Sequence, residues 1–203
     1  MNKWLITASI ALALSVAGVQ AAGDAEAGKT KSAACTACHG PDGNSPNNPI
    51  WPKLAGQHPD YLEKQLMDFK SGDRKDPTMI GMVAPLNEQD MADLAAYFAT
   101  QPKQGGGAAE DKVELGEKLY RAGNAQTGVA ACMGCHGPAG SGNPAANFPA
   151  LAGQHAAYVE KALKDFRSGN RNNDLNKMMQ GVAERMTDAE VAAVAQYIQG
   201  LGK

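Results

Sequence analysis

The 203-residue chain has few aromatic side chains (2 Trp, 5 Tyr and 4 Phe), and its formal net charge is −2 with no run of basic residues. Nucleic-acid binding needs a basic stripe or a row of stacking rings, so no nucleic acid is expected as a partner. A phosphate-cradling glycine loop, a Ser/His/Asp set and a catalytic carboxylate pair are also missing. That removes the common hydrolytic and phosphoryl-transfer chemistries. Cysteine is scarce too: there are four, all confined to two short motifs, so none is left for a structural disulfide.

The two motifs are Cys35-Thr36-Ala37-Cys38-His39 and Cys132-Met133-Gly134-Cys135-His136. Cys-x-x-Cys-His is the attachment pattern of c-type haem. Cys35, Cys38, Cys132 and Cys135 would form thioethers to two haems, with His39 and His136 held against the irons as axial ligands. Two Cys-x-x-Cys pairs could instead close one tetrahedral zinc site, but a histidine directly after both pairs would then have no reason. A thioredoxin-like dithiol belongs at the end of a strand in a βαβ pattern, and no strand-rich stretch precedes either motif. Two covalently attached haems point to electron transfer.

The N-terminus fixes the compartment. Lys3 supplies a positive start, residues 4–19 are mostly apolar, and Val19-Gln20-Ala21 presents small residues at a signal peptidase site. Residues 1–21 are therefore expected to be a signal peptide cleaved after Ala21, giving a periplasmic protein. Export also suits the chemistry, because haem is attached outside the cytoplasm in bacteria.

An internal repeat divides the remainder. Leu-Ala-Gly-Gln-His ends at His58 and again at His155, and the segment Tyr61 to Arg74 recurs as Tyr158 to Arg171, all offset by 97 like the haem motifs. Between the copies, residues 101–109 hold one proline and three glycines and read as a flexible connector. The expected organisation is an N-terminal module over 22–101, a linker over 102–109 and a C-terminal module over 110–203. Modules this small bury too little apolar surface to be stable alone, so each is expected to fold around its haem.

The pattern is all-α. A helix leads toward each motif (25–34 and 113–121), followed by turn-rich stretches, Gly40 to Pro49 and Gly137 to Pro144. Middle helices over 61–70 and 158–167 place Leu62, Leu66 and Phe69, and Val159, Leu163 and Phe166, on one face. Asn87 with Asp90, and Thr187 with Glu190, read as N-caps of the closing helices. Gly28 and Gly116 would let the first helix of each module cross the last closely, facing Tyr97 and Tyr197.

The sixth iron ligand has two duplicated candidates. Aligning the segments after the middle helices on the glycine and the N-cap pairs Met79 with Met179, whereas Met82 faces Val182 and Met178 faces Thr78. The pair Met79 and Met179 is the preferred axial set, with His58 and His155 as competitors that could instead cap the middle helix or touch a haem edge. Histidine plus methionine raises the potential relative to two histidines.

These residues, in this order, closely resemble the cytochrome c4 family: Ala22-Gly-Asp-Ala-Glu-Ala-Gly28, Cys-x-x-Cys-His-Gly, Pro-Lys-Leu-Ala-Gly-Gln, Tyr-Leu-x-Lys-Gln-Leu, Met-x-Gly-Met, then a second copy ending in Gln199-Gly200-Leu201. The resemblance implies two tandem class I cytochrome c domains, each ligated by histidine and methionine. Pro52 and Pro149 would offer carbonyls that orient the proximal histidines. It also implies a non-enzymatic periplasmic electron carrier. Its donor would be a quinol-oxidising complex (a quinol–cytochrome c reductase) and its acceptor a terminal oxidase or other reductase. Loose membrane association is left open, as are two alternatives: a cytochrome subunit docked on a redox enzyme, and a dihaem peroxidase-like enzyme. Charge is uneven between the halves: residues 22–101 carry 7 basic and 11 acidic groups, and residues 102–203 carry 11 and 10. Such asymmetry could orient encounters with partners.

Overall fold

The computed structural model describes residues 22–202; the expected signal peptide lies outside the described residues. The first module begins where the Asp24 carboxylate caps the amides of Glu26 and Ala27 and starts α1 (Ala25–Lys31). Ser32 interrupts the run, and α2 (Ala33–His39) carries the first haem motif. Thus the single helix expected over 25–34 is two, joined at a buried serine. α3 (Pro59–Ser71) starts on a proline, α4 (Pro77–Val83) is capped by Asp76, and α5 (Glu88–Thr100) opens with the capping box of Asn87 and Asp90.

The second module repeats the plan with α6 (Glu110–Ala122), α7 (Met133–His136), α8 (Ala156–Ser168), α9 (Met178–Ala183) and α10 (Asp188–Gly200). α10 opens with the box of Thr187 and Glu190. Short 3₁₀ turns occur at Pro144–Ala146 and Leu175–Lys177. The described residues contain only isolated β-bridges and no extended strand. No described helix is long and apolar enough to cross a membrane.

Each core forms where the closing helix lies between the first and middle helices. Leu62, Leu94, Ala95 and Phe98 pack in the first module, while Val159, Leu163, Phe166, Val191, Val194, Ala195 and Ile198 pack in the second. The α1–α5 and α6–α10 crossings are backbone-close. A Cβ on Gly28 would lie 2.0 Å from the Asp93 carbonyl oxygen, and one on Gly116 2.3 Å from that of Ala193. Tyr97 and Tyr197 flank these glycines as expected.

The connector differs from its flexible reading. Asn44 takes the Gln104 amide N–H at 2.9 Å and donates to the Pro102 carbonyl at 3.0 Å. Further along, the Gly106 amide donates to the Gln199 carbonyl at 3.2 Å, the Gln199 side chain donates to Gly107, and Gln196 accepts from the Ala109 amide at 3.0 Å. Backbone hydrogen bonding, which composition does not reveal, seats this segment along both modules.

Around a pseudo-twofold relation, the repeats grip each other with matched residues. Arg74 donates to the Tyr158 hydroxyl at 3.0 Å, and Arg171 donates to that of Tyr61 at 2.9 Å. Both guanidiniums also reach Gln65, and each stacks over its own module's phenyl ring, Phe69 or Phe166, at 4.5 Å.

Candidate functional site

On α2 the spacing of Cys35, Cys38 and His39 brings all three to one side of a helix; in the second module Cys132 is the N-cap of α7, and Cys135 and His136 follow at the same spacing on it. Cys35 packs against the Leu62–Phe98 core, and Cys132 against the second core together with Met179 and Leu151. Burial raises the thiol pKa of Cys35 and pushes that of Cys132 up to about 11. A dithiol redox pair needs a lowered pKa, so that reading loses support.

Both histidines are buried, at 7% exposure. His39 Nδ1 lies 3.0 Å from the Pro52 carbonyl oxygen, and His136 Nδ1 lies 2.9 Å from that of Pro149. A carbonyl can only accept, so Nδ1 carries the proton and Nε2 keeps its lone pair for a metal. Burial lowers both ring pKa values, opposed by the proline carbonyls, which favours the neutral ligand form. Gly40 and Gly137 follow in left-handed conformations, φ 76° and 77°. These turn the chain sharply, so that the Ser45 and Gly142 amides return to donate to the His39 and His136 carbonyls, each at 2.8 Å.

The methionine candidates lie on matching elements. Met79, whose amide is capped by Asp76 at 3.1 Å, sits half-buried on α4, which packs on α3. Met179 sits half-buried on α9 against the apolar cluster that includes Cys132. Their unmatched neighbours Met82 and Met178 are exposed, and Met91 and Met186 are core.

His58 and His155, the competing ligands, are engaged elsewhere. His58 Nε2 lies 2.8 Å from the Ser141 carbonyl oxygen, and His155 Nε2 lies 3.0 Å from that of Ser45. Neither caps its helix with its side chain. Each reaches into the loop after the haem motif of the other module, a role hidden while the docking of the repeats is unknown. The bonds of Gln57 to Ala150 and of Gln154 to Lys53, each in the other module, were hidden for the same reason. Their identical place in both repeats was the signal available, since duplicated polar residues beside a duplicated site invite a shared task.

A buried neutral imidazole with Nε2 left for iron, beside paired cysteines, suits a covalently bound haem in each module. Comparison with known proteins agrees. The cytochrome c family model matches residues 25–102 and again 113–202. The chain is 55% identical to cytochrome c4 of Thiocapsa roseopersicina over 183 residues, covering 89% of this chain and 94% of that one. The crystal structure of reduced recombinant cytochrome c4 from Pseudomonas stutzeri superposes with a TM-score of 0.86 at 51% identity, covering 89% of this chain and all of that one. A thiosulfate dehydrogenase electron acceptor of Thiomonas intermedia is 39% identical over 83% of this chain and 78% of its own. With two cytochrome c domains in tandem, two c-type haems and full-length similarity of this degree, the chain belongs to the cytochrome c4 family of dihaem electron carriers.

Proposed function

We propose that the protein carries electrons in the periplasm from a quinol-oxidising complex to a terminal oxidase or other reductase, as a carrier and not a catalyst. In this reading residues 22–101 and 110–203 are the two haem modules, joined by 102–109, and residues 1–21 are a cleaved signal. Cys35, Cys38, Cys132 and Cys135 hold the haems, His39 and His136 are the proximal ligands, and Met79 and Met179 are the distal ones. Bound haem supplies a one-electron iron couple. Around it, Pro52 and Pro149 fix the imidazole orientation and proton position, and the apolar cores limit water at the ring. A thioether opposite imidazole raises the potential, which suits delivery to a strong acceptor.

The observation that carries this reading is the duplicated histidine–proline carbonyl bond, present at 3.0 and 2.9 Å in the two modules. A second reading, a cytochrome that serves a dedicated redox enzyme, is favoured by the relative named for accepting electrons from thiosulfate dehydrogenase. Absorption spectra of the exported holoprotein test the proposal. The expected result is two haems per chain, the weak near-infrared band of methionine-ligated ferric iron, and no carbon monoxide binding. Met179→His should remove about half of that band; an unchanged band would overturn the ligand assignment, and carbon monoxide binding would restore the enzyme alternative.

A further inference from the structure

The glutamines of the two Leu-Ala-Gly-Gln-His repeats are buried, at 7% and 8% exposure, and both face the opposite module. Gln154 Oε1 accepts the Lys53 amide N–H at 2.8 Å, and its Nε2 donates to the Lys53 carbonyl at 3.0 Å. The mirror pair is Gln57 with Ala150: Oε1 accepts the amide N–H at 2.8 Å and Nε2 donates to the carbonyl at 2.9 Å. Each Oε1 also accepts the amide of the histidine that follows it, His58 or His155, at 3.0 Å, which fixes the orientation of the side-chain amide.

Lys53 and Ala150 directly follow the prolines that hold the proximal histidines. The Pro52 carbonyl and the Lys53 N–H are therefore two ends of one peptide group, and the same is true of Pro149 and Ala150. A continuous chain results, from His39 Nδ1–H to the Pro52 carbonyl, through the peptide to the Lys53 N–H, and on to Gln154 of the other module. His136 is joined in the same way through Pro149 and Ala150 to Gln57. Donation at the N–H end of a peptide makes its carbonyl a better acceptor, because bonds in a chain polarise one another. A better acceptor at Nδ1 makes the imidazole a stronger electron donor to its metal, and that stabilises the ferric state.

We propose that Gln154 is a positioning residue for the first haem and Gln57 for the second, each lowering the reduction potential of the haem in the module opposite its own. The inference rests on the assignment of His39 and His136 as proximal ligands. It makes the interface part of both redox sites: neither module alone would have its native potential.

The test uses holoprotein carrying Gln154→Leu or Gln57→Leu, which keeps the apolar bulk and removes the amide. Redox titration is followed through the haem methyl proton resonances, with each haem assigned by nuclear Overhauser contacts to its own module. Gln154→Leu should shift the ferric–ferrous equilibrium of the His39 haem toward the reduced form by about fivefold, the weight of one ordinary hydrogen bond, with a smaller change at the His136 haem. Gln57→Leu should give the mirror result. A larger shift in the substituted module, equal shifts at both haems as from a loosened interface, or no shift would each overturn the proposal. Haem counting separates the two levels: two haems without crossed shifts defeat this inference only, whereas fewer than two in the unsubstituted protein defeat the haem assignment beneath it. In the unsubstituted holoprotein, the Lys53 and Ala150 amides should resist hydrogen exchange. Exchange as fast as in an exposed loop at either would overturn the proposal even if a variant failed to fold.

Discussion

Ser45 gives the first site a hydroxyl where the second has Gly142. Both residues occupy the same turn and have left-handed backbones, φ 49° and 78°, a conformation that costs an L-residue about 1–2 kcal/mol. The serine side chain is fully buried, donates to the Pro52 carbonyl at 2.6 Å and stands 3.2 Å from His39 Nδ1. It therefore competes with His39 for the oxygen that sets the imidazole's donor strength, and the second haem meets no such competitor from Gly142. Ser45→Gly should strengthen the His39 bond and lower the potential of the first haem by an equilibrium weight of about 1 kcal/mol. Relief of the backbone conformation roughly offsets the lost hydroxyl bond, so thermal stability should change little. Redox titration with a parallel melting curve checks both parts, and an unmoved first potential would show that the hydroxyl has no influence on the iron.

The crossings of α1 with α5 and α6 with α10 share their glycines but differ in charge. In the first, Asp93 is buried and accepts from Lys31 at 2.6 Å, from the Asp24 amide at 2.8 Å and from Gln89 at 2.8 Å; the matching position in the second is Ala193. The Lys31 ammonium, followed by the Asp24 amide, holds the Asp93 carboxyl down at about 2. A carboxyl lowered on folding adds stability that is complete above its unfolded pKa, near 4, and is lost as the pH falls through about 2. Acid should therefore loosen α1 from α5 before α6 separates from α10. Asp93→Ala should lower the melting temperature at neutral pH by a few degrees and flatten its decline between pH 4 and 2, as followed by circular dichroism; an unaltered acid slope would remove Asp93 as the cause. Much at this scale was legible in the sequence, because capping boxes and glycine crossings depend on near neighbours and the repeat displayed each one twice. The break at Ser32 was not legible, since residues 25–34 hold no proline and their one glycine, Gly28, lies inside α1 and not at the break. Gly116 stands 16 positions before Cys132 whereas Gly28 stands 7 before Cys35, so the second module carries nine additional residues between its crossing glycine and its haem motif, which the offset of 97 shared by the motifs does not show.

At the scale of the whole molecule, the duplication predicted two modules but not how they meet. Gln57, Gln154, His58 and His155 read as local features because their partners are about a hundred residues away, and the connector read as loose because glycine content says nothing of the carbonyls and amides waiting beside it. What unites the modules is a buried polar interface, in which Arg171 is enclosed at 8% exposure. It donates to the Tyr61 hydroxyl at 2.9 Å, to Gln65 at 3.1 Å and to Asn173 at 3.1 Å, while its backbone pairs with that of Arg74. Arg171→Leu would take the guanidinium donor from the half-buried Tyr61 hydroxyl and leave Gln65 only Arg74 and Asn173, at a cost of about 2 kcal/mol. That loss falls on the contact between modules, whereas each haem core keeps its own packing. Calorimetry should therefore show one cooperative transition in the native holoprotein and two in the variant, the earlier belonging to the module with the weaker core. If the variant still melted as a single unit at the native temperature, the glutamine clamps and the seated connector would be sufficient to join the modules, and Arg171 would owe its burial to packing over Phe166 alone.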